Sequence, residues 1–293
     1  MTIIAILLAF GLCHFIRELG RMRNHQWLEN WVRQADELFS KLPAWSDLTG
    51  FVITLLLPLL LVGVVNQMVF TAFGNLGIFV LAIAMLVYTF GPRDLDTQVA
   101  DIINCPSADT QEQELATLLR NDVPDEPEIC RVATVDAVFG ESLHRWFGVI
   151  FWFALLGVVG AFMYRIVDWL ASEPSSLSAA QKQLFARTRQ VLDWPAAQLM
   201  TLALAIATDF DSVFLAWKRY HDEQGHGLFE GNNGFLLASA RQIVLSGHAA
   251  RDGYADQLDG PLATLKQSMD LVWRVLGVWM TVLALLLLID VIT

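Results

Sequence analysis

Charge is scarce in this chain. Asp, Glu, Lys and Arg make up 17% of its 293 residues and hydrophobic types 55%, too apolar a balance for an ordinary soluble domain. The cysteines, Cys13, Cys105 and Cys130, are odd in number and lack metal-ligand spacing, so no disulfide framework is implied and the thiols read as buried or inert. No glycine-rich nucleotide loop, catalytic triad or metal cluster is present, and neither a metal nor a cofactor is expected. His221 and His226, beside Asp222 and Glu223, come nearest to a metal site, with a plain polar loop as the simpler reading. The net charge of −11 excludes nucleic acid as a partner and speaks against a basic surface drawn to anionic lipid. No Lys or Arg precedes the first apolar run, no small-x-small cleavage pattern follows it, and Leu12 precedes Cys13 where a lipoprotein signal requires Gly or Ala. Residues 2–16 therefore read as a retained helix, not a signal peptide.

What the chain does have is long apolar stretches, and about twenty such residues cross ~30 Å of hydrocarbon as a helix. Four are clear, at about 51–70, 72–90, 147–167 and 272–292, and two are weaker, at 2–16 and 194–208. The expected fold is all-α: a polytopic membrane bundle of four to six transmembrane helices, forming a single integral domain over 1–293 with the lipid bilayer as its first partner. With six spans the loops alternate sides. Segments 17–50, 91–146 and 211–274 hold five, four and six Lys or Arg, against four (Arg165, Lys182, Arg187, Arg189) between spans four and five. The excess places segments 17–50, 91–146 and 211–271 in the cytoplasm and both termini outside. The acid is local, with twelve Asp or Glu in 91–146, and reads first as a solvated face.

The loops carry helical signals of their own. From Leu19, the residues Trp27, Trp31, Ala35, Leu38 and Leu42 recur at helical spacing and predict an amphipathic face. Asp109-x-x-Glu112 before Leu115, Leu118 and Leu119 reads as a capped short helix, and a third amphipathic run, Arg131 to Trp146, feeds the fourth span. Asp193-Trp194-Pro195 reads as a helix start, Gly74-Asn75 as a turn between spans, and Pro58 as a kink. Trp146, Trp169, Trp194, Trp217 and Trp273 fall near span ends, where indoles anchor at the interface. In the fourth span Gly157-x-x-x-Ala161 is a small-xxx-small spacing that predicts close approach of another helix.

Polar groups at span boundaries are the candidates for chemistry, because ionisable side chains beside hydrocarbon are costly. Arg93 and Asp94 follow the third span. Glu141, Ser142 and Arg145 precede the fourth, with Glu141 and Arg145 at the favourable i,i+4 spacing. Arg165 and Asp168 end it, where snorkelling is the commoner cause. Asn232 and Asn233 lie in a Gly-Asn-Asn-Gly segment. Glu141 and Asp94 are the catalytic candidates, and Arg93, Ser142, Arg145, Asn232 and Asn233 the ligand-binding ones.

Several of these residues form a pattern. Trp27-Leu28-Glu29, then Phe147-Gly148-Val149-Ile150-Phe151-Trp152 running into a Gly/Ala stretch and Tyr164-Arg165, then Leu192-Asp193-Trp194-Pro195, resemble the AmpE family in order and spacing across most of the chain. That family is similar in turn to adenosylcobinamide-phosphate synthase, the CobD/CbiB family, a membrane enzyme joining cobyric acid to an aminopropanol phosphate. Its signature before the equivalent span reads Glu-Ser-Leu, then Ala-Glu-Asn-Thr. This chain keeps Glu141-Ser142-Leu143 and then has His144-Arg145-Trp146-Phe147; the enzyme's later Leu-Asn-Trp is Leu192-Asp193-Trp194 here. The resemblance implies an inner-membrane accessory or signalling component linked to β-lactamase induction and cell-wall recycling, with a protein partner in the cytoplasm or membrane. The alternative is an amide-forming enzyme related to the synthase, and a small transporter is a third reading.

Overall fold

A computed structural model describes residues 2–15, 26–41, 45, 47–90, 94–172, 177–224, 232–246 and 260–292. Among these the chain is helical, with no strand: α1 (Thr2–Phe15), α2 (Gln26–Phe39), α3 (Leu48–Thr89), α4 (Leu95–Ile103), α5 (Ala108–Leu119), α6 (Pro127–Ser142), α7 (Gly148–Ser172), α8 (Ala179–Ala207), α9 (Phe210–Gln224), α10 (Gly234–Leu245) and α11 (Pro261–Ile292). A π turn, Leu143–Phe147, links α6 to α7. The residues group into two compact units, Met1–Pro92 with His144–Asp193 and Arg93–Leu143 with Trp194–Thr293. Three helical stretches, Leu48–Thr89, Pro127–Ser172 and Pro261–Leu286, are long and apolar enough to cross a membrane.

The first unit is built from reversals. At 42 residues α3 would extend about 63 Å if straight, twice the hydrocarbon thickness. It turns back at Gly74, where φ 58° and ψ −147° suit glycine alone. Neighbouring indoles of α2 then reach both ends of the hairpin: Trp27 Nε1 donates to the Tyr88 hydroxyl and Trp31 Nε1 to the Thr54 carbonyl at 3.1 Å. Phe51 and Leu55 from one limb, and Met85 and Tyr88 from the other, pack on one cluster with Leu28, Val32, Phe162 and Phe185. The turn falls where Gly74-Asn75 predicts it. Pro58 lies within the first limb, and the non-helical angles of α3 are at Gly74.

The same device sits inside the apolar stretch read as the fourth span, and that reading is corrected. Gly157 adopts φ 64° and ψ −145°, and α7 folds into antiparallel limbs. Gly148 lies against the Tyr164 ring, where a Cβ would collide with the phenol. Arg165 Nη2 donates to the His144 carbonyl at 3.3 Å, although 21 residues of straight helix would separate the two by about 32 Å. The small residues expected to receive another helix serve this hairpin instead: Gly157 is the turn, and Gly160 lies against the Trp152 carbonyl of the opposing limb.

The reversal also returns the following segment to its starting end. Gln181 Nε2 donates to the Trp45 carbonyl at 2.7 Å. Residues 177–193, expected across the membrane from segment 17–50, therefore sit beside it. Nor does a helix start at Asp193: α8 begins at Ala179 and runs through Pro195. In the turn before that proline, where the missing N–H weakens the backbone ladder, the Leu192 carbonyl accepts from Trp152 Nε1 at 3.0 Å.

Two packing expectations change as well. The buried face of α2 is Leu28, Val32 and Ala35, about one residue round from the predicted one, and Leu38 is 71% exposed. Leu19 and Leu42 lie outside the described residues. Trp146 is no interfacial anchor; it is fully buried, edge-on to Phe10 at 5.5 Å. Among the described residues all three cysteines are free thiols, Cys13 and Cys130 buried.

In the second unit α6 packs against α10 and α11, α9 against α10, and α4 against α11 and α5. Its core includes Leu95, Ile102, Leu118, Val138, Phe139, Phe235, Leu265 and Val272. Polar bonds pin the pairs: Asp136 of α6 takes a bidentate contact from Arg241 of α10, and Trp273 of α11 donates to Asp96 of α4 at 3.0 Å. The Asp136 carboxylate holds the Arg241 guanidinium protonated above its ordinary range. The short helix predicted from Asp109-x-x-Glu112 is α5, burying Leu115 and Leu118.

Candidate functional site

Burying a carboxylate or guanidinium demands partners for nearly every polar atom. The open end of the α7 hairpin supplies them. Asp193, 1% exposed, accepts from the Tyr164 hydroxyl at 2.6 Å through Oδ1 and from His144 Nε2 at 3.2 Å through Oδ2. Arg165, 4% exposed, spends its donors on three acceptors: the Thr89 carbonyl at 2.5 Å, Asp168 Oδ2 at 2.8 Å and the His144 carbonyl. Asp168 Oδ1 lies 3.7 Å from Arg189 Nη1, which also donates to the Ser172 hydroxyl at 2.5 Å. Both α7 limbs, the return end of α3 and α8 thus meet in one buried polar cluster. Arg165 and Asp168, read as a snorkelling terminus, are buried structural charges.

The backbone explains how these groups converge. Gly157 brings the Tyr164 limb back beside His144, and α8 passes Asp193 and Arg189 along the same end. The π turn at 143–147 adds a residue to the helix and re-aims His144, and such turns are frequent at functional sites.

The sequence candidates are placed elsewhere, except Arg145, half-buried in the π turn. Glu141, next to last in α6, is 6% exposed, and Arg120 Nη2 lies 2.7 Å from its Oε1. Ser142 is fully buried and donates within its own helix to the Phe139 carbonyl at 2.9 Å. Asp94 precedes α4, where its carbonyl accepts from Gln98 N at 3.0 Å and its Oδ2 from Thr97 at 3.4 Å. Asn232 and Asn233 lead into α10. Asn232 Oδ1 accepts from the Tyr220 hydroxyl and from Gly234 N, and the Asn233 carbonyl accepts from Leu236 N at 3.1 Å. Arg93 and His226 lie outside the described residues. His221 donates to the Trp217 carbonyl at 2.8 Å and packs against Trp217 and Phe235.

Among the described residues are two cavities that none of these candidates lines. One of about 250 Å³ is almost wholly apolar, formed by Leu202, Phe210, Phe214 and Trp217 with their neighbours. The other, about 500 Å³, lies at the turns of the two hairpins and includes Thr2, Asn66 and Asn75.

The sequence model of the CobD/CbiB protein family matches residues 6–267, nearly the whole chain. The chain belongs to the CobD/CbiB family. No curated protein and no solved structure matches it. The match joins the apolar helices in marking a membrane protein.

Family membership gives the buried cluster added meaning. Tyr164-Arg165 and Leu192-Asp193-Trp194, two of the motifs that carry the resemblance, are bonded to each other through Tyr164 and Asp193. Asp193 reads in sequence as a helix cap, and Tyr164 and Thr89 are not among the residues that the sequence marks for chemistry. The available signal was a carboxylate and a tyrosine, both embedded in apolar runs, with no partner nearby in sequence.

Proposed function

We propose that this CobD/CbiB-family membrane protein is an accessory or regulatory component of the AmpE type, acting in a bacterial inner membrane on β-lactamase induction and cell-wall recycling. One observation carries the reading. Where the synthase signature has its polar Asn and Thr, this chain has Trp146 and Phe147, both buried, with the Trp146 indole against Phe10. The positions that would face substrate in the enzyme are here part of a packed core. His144 and Asp193, two further departures from the signature, are partners of each other. Deletion of the gene is expected to change β-lactamase induction and muropeptide pools, restored by Glu141→Gln and Asp94→Asn variants as well as by the unaltered chain. Unchanged induction and pools on deletion would count decisively against the reading.

A second reading rests on the retained Glu141-Ser142 pair, buried directly before the π turn. An amide-forming enzyme related to the synthase would use Glu141 as an acid or base on a membrane-boundary substrate. Glu141→Gln would then abolish function at unchanged abundance, and the purified protein would bind a nucleotide or a corrinoid.

A further inference from the structure

We infer that the first unit keeps its described charges on one membrane face, so that residues 177–193 share a face with residues 26–41, and that the cavity at the hairpin turns is a hydrated vestibule open to the other face. The inference stands apart from the functional reading above.

Its first support is the distribution of charge. Residues 48–89 and 146–164 contain no Asp, Glu, Lys or Arg. The described charges of the unit lie on α2, on the segment before α3, at the open end of α7 and on the first half of α8. Each hairpin leaves this end and comes back to it, and Gln181 bonded to Trp45 fixes the return by direct contact. A crossing by α7 would separate those two residues by the thickness of the bilayer.

The second support lies at the turns. Outward-facing side chains there are apolar, with Phe73 and Leu76 each 72% exposed and Leu155 60%, as contact with lipid tails requires. The cavity between them includes Asn66 and Asn75. Neither carboxamide has a hydrogen-bond partner among the described residues, a costly state in hydrocarbon and an ordinary one in water. At about 500 Å³ the space has room for on the order of fifteen waters. α1 has 14 residues and the return limb of α7, residues 158–172, has 15, so each is about 21–22 Å long against ~30 Å of hydrocarbon. Water entering from the far face makes up the difference.

The test is thiol accessibility in the full chain, in sealed membranes of both orientations, with Cys13, Cys105 and Cys130 replaced by Ala. A membrane-impermeant maleimide should modify Asp47→Cys, Lys182→Cys and Gln183→Cys in one orientation and lose that labelling in the other. Asn75→Cys and Asn66→Cys should show the reverse. Modification of Lys182→Cys and Gln183→Cys from the face that modifies Asn75→Cys overturns the shared face. Membrane-inserted Asn75→Cys and Asn66→Cys that stay unmodified from both sides overturn the vestibule.

Discussion

The α3 and α7 hairpins reverse at glycines with nearly the same angles, φ 58° and ψ −147° at Gly74 and φ 64° and ψ −145° at Gly157, yet their open ends are closed by different means. α3 is held by apolar packing and by two indoles of α2 that donate to Tyr88 and to the Thr54 carbonyl. α7, with its short limbs, is held by buried charge: Arg165 ties His144 of its own hairpin to Thr89 of the other, and Asp193 ties His144 to Tyr164. The comparison teaches that a glycine turn sets where a membrane hairpin reverses, while what closes its ends depends on how much apolar area the limbs can bury.

That contrast can be broken at its strongest point. Arg165→Ala leaves Asp168 buried with only the longer 3.7 Å contact to Arg189 and should destabilise the fold by about 3–5 kcal/mol. Trp27→Phe, which removes one half-exposed hydrogen bond from α3, should cost about 1 kcal/mol or less. Thermal unfolding in detergent measures both, and equal midpoints would refute the asymmetry. The turns themselves come next. Gly157→Ala and Gly74→Ala each place a Cβ in backbone space reserved for glycine, at a cost of about 1–3 kcal/mol. If α7 were a straight span, Gly157→Ala would instead gain up to about 1 kcal/mol, so the sign of the change decides. The smallest effect sharpens the comparison between tyrosines. Tyr164→Phe deprives a buried carboxylate of one donor and should cost about 1–2 kcal/mol, whereas Tyr88→Phe should be nearly neutral. Chemical denaturation of the two variants beside the parent chain resolves the difference.

The two turns were not equally visible in sequence, and the reason is physical. Gly74-Asn75 interrupts an apolar stretch long enough for two crossings, so length alone demanded a turn. Gly157 sits inside 21 residues that fit one crossing, and hydropathy carries no information on direction. The small residues around it signal close approach but not whether the neighbour is another helix or the same one folded back. Helical periodicity located the elements well, including α5 and the run from Arg131 into α7. It failed on which face of α2 is buried, because indole N–H groups let Trp27 and Trp31 lie at the rim while reaching acceptors on α3. The site was least legible. Its partners are separated by up to 76 residues, as between Arg165 and Thr89, and bonds of that range are created by the fold.

The reversal at Gly157 bears on how the chain is made as well as on how it is held. A translocon handling a straight fourth span would have to pass Arg165, Asp168 and the basic first half of α8 through hydrocarbon, each charge opposing insertion. A hairpin folded at Gly157 exports, over residues 148–163, only Trp, Phe, Ile, Leu, Met, Val, Ala and Gly side chains. It can therefore enter the bilayer laterally as one unit, with its charged residues kept together at the open end.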